Sequence, residues 1–300
     1  MKKLTILLSL KDRHKETKVW FENNYHSAFN YIIADGSLEE ENNYIFSKIN
    51  KSNLLYLRFK KDLSYKDYYK KVYKASLLIK TPFVMQVDND DILNFTSINE
   101  CLDTMDQNNT FSIISGHISG FNVKKNKNYL SDFKENNCSH IQDNNKLNQI
   151  INYLKNYRII WYSIYRTAVF QKAWEDCFLF SCKHVLNTEI LHGLSSLANG
   201  YFTFKNNTTY IRNTSQTDSI FRNTPIEEIQ KSKDEIKEIL LFISKKYDLD
   251  KNKILEAYQK ANKIYKNRNM LIRMMLFIIR KKSLSHNRLI SIINKINFLN

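Results

Sequence analysis

The stretch that decides the fold is FVMQVDNDDIL, residues 83–93, in which an apolar run leads directly into three carboxylates. These carboxylates belong to Asp88, Asp90 and Asp91. Like charges this close raise one another's pKa and cost stability unless a positive charge lies among them. Two interpretations are therefore open: a solvated turn after a strand, or a site that holds a cation.

The chain before this stretch alternates between strand-like and helix-like patterns. Apolar runs predict strands at 4–10, 31–37, 54–59 and 83–87, and amphipathic spacing predicts helices at 15–29 and 65–80. This alternation predicts an α/β domain with a mainly parallel sheet flanked by helices. Ligands of such sheets bind beyond the carboxyl ends of the strands. Asp12, Asp35 and Asp88 each follow a strand at that edge.

The remainder of the chain combines further strands with a helical C-terminal region. Residues 122–150 are polar and weakly patterned, which predicts a long excursion that is either disordered or closes over a ligand. Further elements are predicted as strands at 159–166, 201–204 and 208–212 and a helix at 188–200. The helix-start pattern at 224–227 places a boundary near residue 222, which gives a domain over 1–222 and a basic helical region over 223–300.

Composition excludes several kinds of site. The 300 residues include only five glycines, and no GxGxxG or GxxxxGK[ST] loop is present. The four cysteines form no CxxC pair, so reduced thiols are expected, with a Cys177–Cys182 bridge as the alternative. The first residues imitate a signal peptide but lack a small-residue cleavage site, and no apolar run approaches the roughly 20 residues of a membrane span. We expect a cytoplasmic protein.

The net charge of +16 comes mostly from the C-terminal end. Residues 251–300 contain eight lysines and four arginines against one acid, Glu256. Residues 270–284 combine an apolar face with basic side chains, which suits either an anionic membrane surface or packing against protein. A nucleic-acid-binding protein is the main non-enzymatic alternative. No recognition motif accompanies the charge, and we expect no nucleic-acid partner.

Four ordered motifs resemble those of family 2 glycosyltransferases with the GT-A fold. They are LTILLSLKDR (4–13), ADGS (34–37), VDNDDIL (87–93) and TEILHGLSSLANGY (188–201). The resemblance spans roughly residues 3–215. It implies inverting transfer of a sugar, from a UDP-sugar, to a glycan or lipid-linked acceptor, as in bacterial capsule or lipooligosaccharide synthesis. It also implies a set of nucleotide-binding residues: Ser9, Leu10, Arg13, Asp35 and Asp88. A surface charge at Arg13 and a plain turn at Asp35 are the competing interpretations.

The acidic stretch matches the family's metal-binding DxD motif at Asp88 and Asp90. Carboxylate oxygens suit Mn²⁺ or Mg²⁺, and such a cation neutralises the charge that grows on a leaving diphosphate. We expect Asp90 to contact the metal, Asp88 to contact the metal or the ribose, and Asp91 to orient the donor sugar. A nucleotidyltransferase, which also uses carboxylates and Mg²⁺, and a transferase relative without activity remain alternatives.

Glu189 is the predicted general base, because it lies at the position that the family's spacing gives to the catalytic acid. Deprotonation by a positioned carboxylate makes an acceptor hydroxyl a competent nucleophile. Thr188 stands where the family has a second acid, so an ordinary acid in the first turn of a helix is the competing interpretation. Glu175 and Asp176 form a second acidic pair that is the fallback for the base.

Two further expectations concern residues around this site. Arg212 matches a basic position of the family, but Asn213 replaces a common histidine, so no late metal ligand is predicted. Trp161 and Tyr162 either stack on an acceptor sugar or, as the apolar pattern favours, belong to the core.

Overall fold

The computed structural model describes residues 2–38, 52–60, 62–121, 138–213 and 226–261. The helix-start residues Thr224 and Pro225, the segment 270–284 and most of the polar excursion lie outside these ranges. Among the described helices, none is both long and apolar enough to cross a bilayer.

One sheet organises the described part of the chain. Its strands are β1 (Leu4–Leu10), β2 (Asn30–Asp35), β3 (Leu54–Arg58), β4 (Phe83–Val87), β5 (Ile92–Leu93), β6 (Phe111–Phe121), β7 (Ile164–Arg166) and β8 (Tyr201–Asn213). Their order is β3-β2-β1-β4-β7-β6-β8-β5. The first four strands in this order are parallel, β7 pairs antiparallel with both β4 and β6, and β6 and β8 are parallel.

Helices cover both faces of the sheet. They are α1 (His14–Asn24), α2 (Tyr65–Ser76), α3 (Phe95–Gln107), α4 (Lys146–Lys155), α5 (Thr167–Phe180), α6 (Val185–Asn199) and α7 (Ile226–Lys246), and residues 251–261 are also helical. α1 and α3 bury apolar side chains on one face, while α2, α5, α6 and α7 do so on the other. The predicted α/β class, with helices flanking the sheet, is confirmed.

Strand β1 shows why both faces are covered. Leu4, Ile6, Leu8 and Leu10 point into the core beneath α1 and α3, whereas Leu7 points into the core beneath α2 and α5. Successive side chains of a strand alternate between the faces, so a continuous apolar run requires a layer on each side.

Several predicted boundaries were wrong, and local hydrogen bonds explain two of them. α1 ends at Asn24 rather than at residue 29, because the Asn24 amide donates to the Trp20 carbonyl (3.0 Å) and the following residue is extended. Only residues 164–166 of the predicted strand 159–166 are β-structure, because Ser163 donates its N–H to Ile160 and closes a turn.

Other differences concern the second half of the sheet. Residues 201–213 form one strand rather than two, and the irregular pairing with β6 lets it continue through a polar Lys-Asn-Asn segment. The predicted polar excursion over 122–150 extends too far, because α4 begins at Lys146. The Asn145 side chain caps this helix by accepting a hydrogen bond from the Asn148 N–H (3.1 Å). Strand β6 and helices α3 and α5 were not predicted.

The C-terminal helix packs on the α/β core. Ile236, Ile239, Leu240 and Ile243 of α7 are buried in the same apolar cluster as α5 and α6. The described part of the basic region is thus in contact with the preceding domain, while the division at residue 222 stays a prediction. All four cysteines are buried and free, as the expectation of reduced thiols requires.

Candidate active site

The carboxyl ends of β1, β2 and β4 lie side by side and carry most of the predicted site residues. Leu10 is paired in register with Asp35 of β2, and Leu8 is paired with Val87 of β4. Asp88 therefore begins its turn next to the end of β1. The parallel register brings together residues that are separated by more than 50 positions in the sequence.

Asp88, Asp90 and Asp91 form a compact acidic cluster. One carboxylate oxygen from each lies within 4.8 Å of the others. Asp88 and Asp90 are half-buried, whereas Asp91 is only 3% exposed. Three carboxylates held this tightly in a partly desolvated site repel one another, and a divalent cation among them would relieve that repulsion.

The carboxylates perturb one another. Burial, together with the charges of Asp88 and Asp90, raises the pKa of Asp91 to about 8. Burial and the charge of Asp88 also raise the pKa of Asp90, against the opposing positive charges of Arg13 and Arg212. The protein thus maintains a site of unfavourable negative charge, as ion-binding and catalytic sites commonly do.

Two stacked tyrosines donate hydrogen bonds to the acidic cluster. The rings of Tyr162 and Tyr210 are parallel within 14°, with their centroids 4.2 Å apart. Tyr162 donates its hydroxyl to Asp88 Oδ2 (2.6 Å), and Tyr210 donates to Asp91 Oδ2 (2.6 Å). The Asp88 N–H in turn donates to the Tyr210 hydroxyl (3.1 Å). The tyrosine pair therefore fixes the orientation of two of the three carboxylates.

Two arginines provide positive charge at the rim of the cluster. Arg13 Nη1 lies 3.5 Å from Asp90 Oδ2, and its side chain is 40% exposed. The Arg212 guanidinium lies 5.7 Å from the centroid of the Tyr162 ring. Interaction with Tyr162, followed by the carboxylates of Asp88 and Asp91, raises the pKa of Arg212 against the effect of burial. Both guanidiniums are suited to binding phosphate oxygens.

The donor atoms fit a hard divalent cation. Asp88 and Asp90 present oxygen ligands at the open side of the cluster, which matches the preference of Mg²⁺ and Mn²⁺. Both oxygens of Asp91 already accept hydrogen bonds, one from Tyr210 and the other from the Asn213 N–H (2.7 Å). This geometry favours Asp88 and Asp90 as ligands and Asp91 as their support, and the predicted contact of Asp91 with a donor sugar stays a prediction.

Asp35 is fully buried at the end of β2 and is held by three neighbours. Ser37 donates its N–H and hydroxyl to Oδ1, while Tyr56 and Arg58 approach Oδ2 (2.5 and 3.3 Å). Burial alone would raise the pKa of Asp35, but these hydrogen bonds and the Arg58 charge together lower it. Asp35 is therefore a fixed, charged acceptor beside the strand end where a nucleotide base is predicted.

A buried ion pair supports the same strand end. Lys71 Nζ donates to the Leu10 carbonyl (2.7 Å) and to Asp62 Oδ2 (2.5 Å). Gly36 packs so closely on Asp62 that a Cβ atom there would lie 2.1 Å from Asp62 Oδ2. The main chain of Leu10 is thereby fixed, and the Ser9 hydroxyl beside it is buried with no hydrogen-bond partner among the described residues.

Glu189 lies in the first turns of α6 and shares the electrostatic environment of the acidic cluster. Tyr157 donates its hydroxyl to Glu189 Oε1 (2.5 Å). Burial raises the pKa of Glu189 and the charge of Asp88 adds to this, whereas the Tyr157 hydrogen bond and the Arg212 charge oppose it. The carboxylates of Asp88 and Glu189 both contribute to the raised pKa of Arg212.

The fallback acids have other partners. Glu175 forms a surface ion pair with Lys172. Asp176 is fully buried, accepts a hydrogen bond from Ser195 (2.5 Å) and pairs with Lys246 of α7. Glu175 has its partner within α5, and Asp176 joins α5 to α6 and α7, so the contacts favour Glu189 over this pair as the base, although the choice itself stays a prediction.

Sequence reasoning missed Tyr157, Tyr210 and the Lys71–Asp62 pair. Trp161 lies against Trp174 and His192, as the core interpretation requires. Tyr162 is 5% exposed and donates its hydroxyl to Asp88 instead of facing an open surface. The alternation of Tyr210 and Arg212 within β8 was the one local signal that a polar group on this strand faced the site.

Comparison with solved structures places this fold among known ones. S. aureus TarS 1–349 is similar with a TM-score of 0.56 and 16% identity, over 86% of this chain and 71% of that one. The same protein in complex with UDP-GlcNAc is similar with a TM-score of 0.57 and 15% identity, over 85% and 70%. Its complex with UDP is similar with a TM-score of 0.56 and 15% identity, over 85% and 69%.

This likeness confirms the GT-A-like fold that the sequence predicted. At 15–16% identity it establishes the fold alone. No protein-family model matches the chain, and neither does any curated protein sequence.

Proposed function

We propose that this chain is a metal-dependent glycosyltransferase, which transfers a sugar from a nucleoside-diphosphate donor to an acceptor hydroxyl with inversion. The observation that carries the proposal is the acidic cluster of Asp88, Asp90 and Asp91 at the carboxyl ends of parallel strands, flanked by Arg13 and Arg212. The similarity to structures that hold UDP and UDP-GlcNAc supports a UDP-sugar as donor.

Each group has a role in a single displacement. The acceptor oxygen forms a bond to the anomeric carbon from the face opposite the diphosphate, the bond from that carbon to the phosphate oxygen breaks, and the acceptor proton passes to Glu189. Arg13 and Arg212 bind phosphate oxygens and stabilise the charge that develops on them. A divalent cation bound by Asp88 and Asp90 would neutralise further charge on the leaving diphosphate.

The donor pocket follows from the strand ends. Asp35 would contact the nucleotide base by sharing an oxygen that already accepts hydrogen bonds, since Ser37 donates to Oδ1 and Tyr56 and Arg58 donate to Oδ2 of this charged carboxylate. Ser9 and Leu10 would line the same pocket beside it, Ser9 with its free hydroxyl and Leu10 through a main chain held by Lys71.

The basic C-terminal segment bears on the acceptor and on the cellular site of the reaction. A growing surface glycan or a lipid-linked glycan would suit an enzyme whose basic C-terminal segment, 270–284, adsorbs to an anionic membrane from the cytoplasmic side. Adding acidic-lipid vesicles to the protein and sedimenting them would detect this adsorption, and loss of binding at high salt is the expected control result.

Calorimetric titration tests the proposal directly. UDP should bind in the presence of Mn²⁺ and not in its absence, with GDP and CMP as comparisons for the base. Glu189→Gln should retain this binding and lose sugar transfer by at least about a hundredfold, because general base catalysis contributes about 10²–10⁴-fold. Glu175→Gln is the matched control and should stay active.

Two outcomes would contradict the proposal. Absence of nucleotide binding with any metal would return the acidic stretch to a simple turn. Release of pyrophosphate instead of a nucleoside diphosphate would identify a nucleotidyltransferase. An active Glu189→Gln variant, by contrast, would overturn only the assignment of the base.

A further inference from the structure

The helix that carries Glu189 begins without a cap of its own. α6 starts after His184, whose side chain makes no capping hydrogen bond to the first turn. The first N–H groups of a helix have no partner within the helix and usually need a side-chain acceptor. Immediately before this helix, an acceptor comes from a distant element.

Glu235 of the C-terminal helix α7 supplies this acceptor to the two residues that precede α6 and to the Asn187 side chain in its first turn. Its carboxylate accepts the N–H groups of Lys183 (2.5 Å) and His184 (3.1 Å) and the side-chain amide of Asn187 (2.7 Å). Glu235 is only 4% exposed. A buried carboxylate with three donors at a helix N-terminus is also favoured by the helix dipole.

A second group on α7 strengthens the same contact. Asn187 donates to the Ser232 carbonyl (2.8 Å), and Ser232 donates its hydroxyl back to Asn187 Oδ1 (2.8 Å). Asn187 is 1% exposed and lies two residues before Glu189. The far end of α6 is held as well, because Asn199 donates to the hydroxyl of Tyr247 (2.7 Å).

We propose that Glu235 is a positioning residue for Glu189: from the C-terminal helix it fixes the first turn of α6 and hence the place of the Glu189 carboxylate. The inference rests on the proposed function, in which Glu189 is the base. Helix α7 would then contribute to the geometry of the active site. Displacement of a catalytic base by about 1 Å lowers the rate of the catalysed reaction by up to about a hundredfold.

The test compares Glu235→Gln with Glu238→Gln. Both changes remove one negative charge from α7, but Glu238 is exposed and Glu235 is buried. In Glu235→Gln the new amide places a donor against the N–H groups of Lys183 and His184 and the Asn187 amide, which should loosen the start of α6. The full-length protein is used, with UDP-GlcNAc as donor and water as acceptor, and released UDP is measured with Mn²⁺ present.

Three readouts separate the outcomes. Glu235→Gln should lower kcat at least tenfold, leave UDP affinity within about twofold of the parent, and speed amide exchange at residues 183–189 about tenfold. Glu238→Gln should change none of these. Unchanged exchange would overturn the cap, and faster exchange with unchanged kcat would overturn the positioning role.

Failure of the proposed function would look different. If the parent protein binds no nucleotide and releases no UDP, the transferase proposal falls, and the positioning role of Glu235 falls with it even where the exchange result shows a cap. If Glu235→Gln loses kcat and UDP affinity together, Glu235 supports the whole fold and has no specific role toward Glu189.

Discussion

Replacing Asp90 with Asn should stabilise the metal-free protein while abolishing its stabilisation by Mn²⁺. The change removes one of three carboxylate charges and keeps the side-chain shape. Two unit charges 4.8 Å apart repel by about 3.5 kcal/mol at an effective dielectric constant of about 20. Without a cation, each such repulsion opposes folding.

The net gain is smaller than this repulsion. The raised pKa of Asp91, about 8, means that part of the cluster is already neutral near pH 7, so the measurement belongs near pH 9. Removing the charge also loses the Arg13 contact, an exposed pair worth under about 1 kcal/mol. We expect a gain of about 2 kcal/mol, which corresponds to a rise of about 4 °C in Tm.

Thermal unfolding with EDTA and with Mn²⁺ is the assay. The parent should gain Tm with Mn²⁺, and Asp90→Asn should start higher and gain almost nothing. Asp103→Asn, which removes an exposed carboxylate from α3, is the control and should follow the parent. A variant that is less stable than the parent without metal, and equally stabilised by Mn²⁺, would refute the idea that the carboxylates exist for a cation.

Two further predictions follow from the same structure. Tyr162→Phe removes the hydroxyl that orients Asp88 and should weaken Mn²⁺ binding about tenfold in a fluorescence or calorimetric titration, as loss of outer hydrogen bonds to metal ligands does; equal affinity would show that the tyrosine is merely core. Lys246→Met leaves the buried Asp176 without its cation and should cost about 3 kcal/mol in denaturant unfolding, whereas Lys245→Met, at an exposed position, should cost almost nothing.

The sequence was sufficient for the parallel half of the sheet. Strands β1, β2 and β4 are buried on both faces, so each appears as an apolar run that local pattern identifies, and the edge strand β3 is apolar enough to be recognised although it is only partly buried. Burial also explains why the predicted strand over 159–166 is too long. Ile160 and Tyr162 are largely apolar and buried, yet they are not in a strand. An apolar run reports burial, and only the hydrogen-bond pattern distinguishes a strand from a buried turn.

The candidate site, like the sheet, could be predicted only in part from the sequence. The acidic cluster is local in sequence, and its residues were identified from one stretch of five. Tyr157 contacts Glu189 across 32 positions, and Glu235 contacts the start of the helix that carries Glu189 across 48 to 52 positions. Contacts of that separation are set by tertiary packing, and no spacing within a single element predicts them.

The packing of α7 on the α/β core has a consequence for synthesis of the protein. Chains leave the ribosome from the N-terminus, at about 5–20 residues per second. Every residue assigned to donor binding and catalysis emerges before Glu235, yet the helix that carries Glu189 acquires its acceptor only when α7 has emerged and docked. Under the proposed function, a nascent chain of the first 222 residues would carry the residues proposed for nucleotide binding while Glu189 still lacked the support of α7, and transfer activity would appear only in the last part of translation.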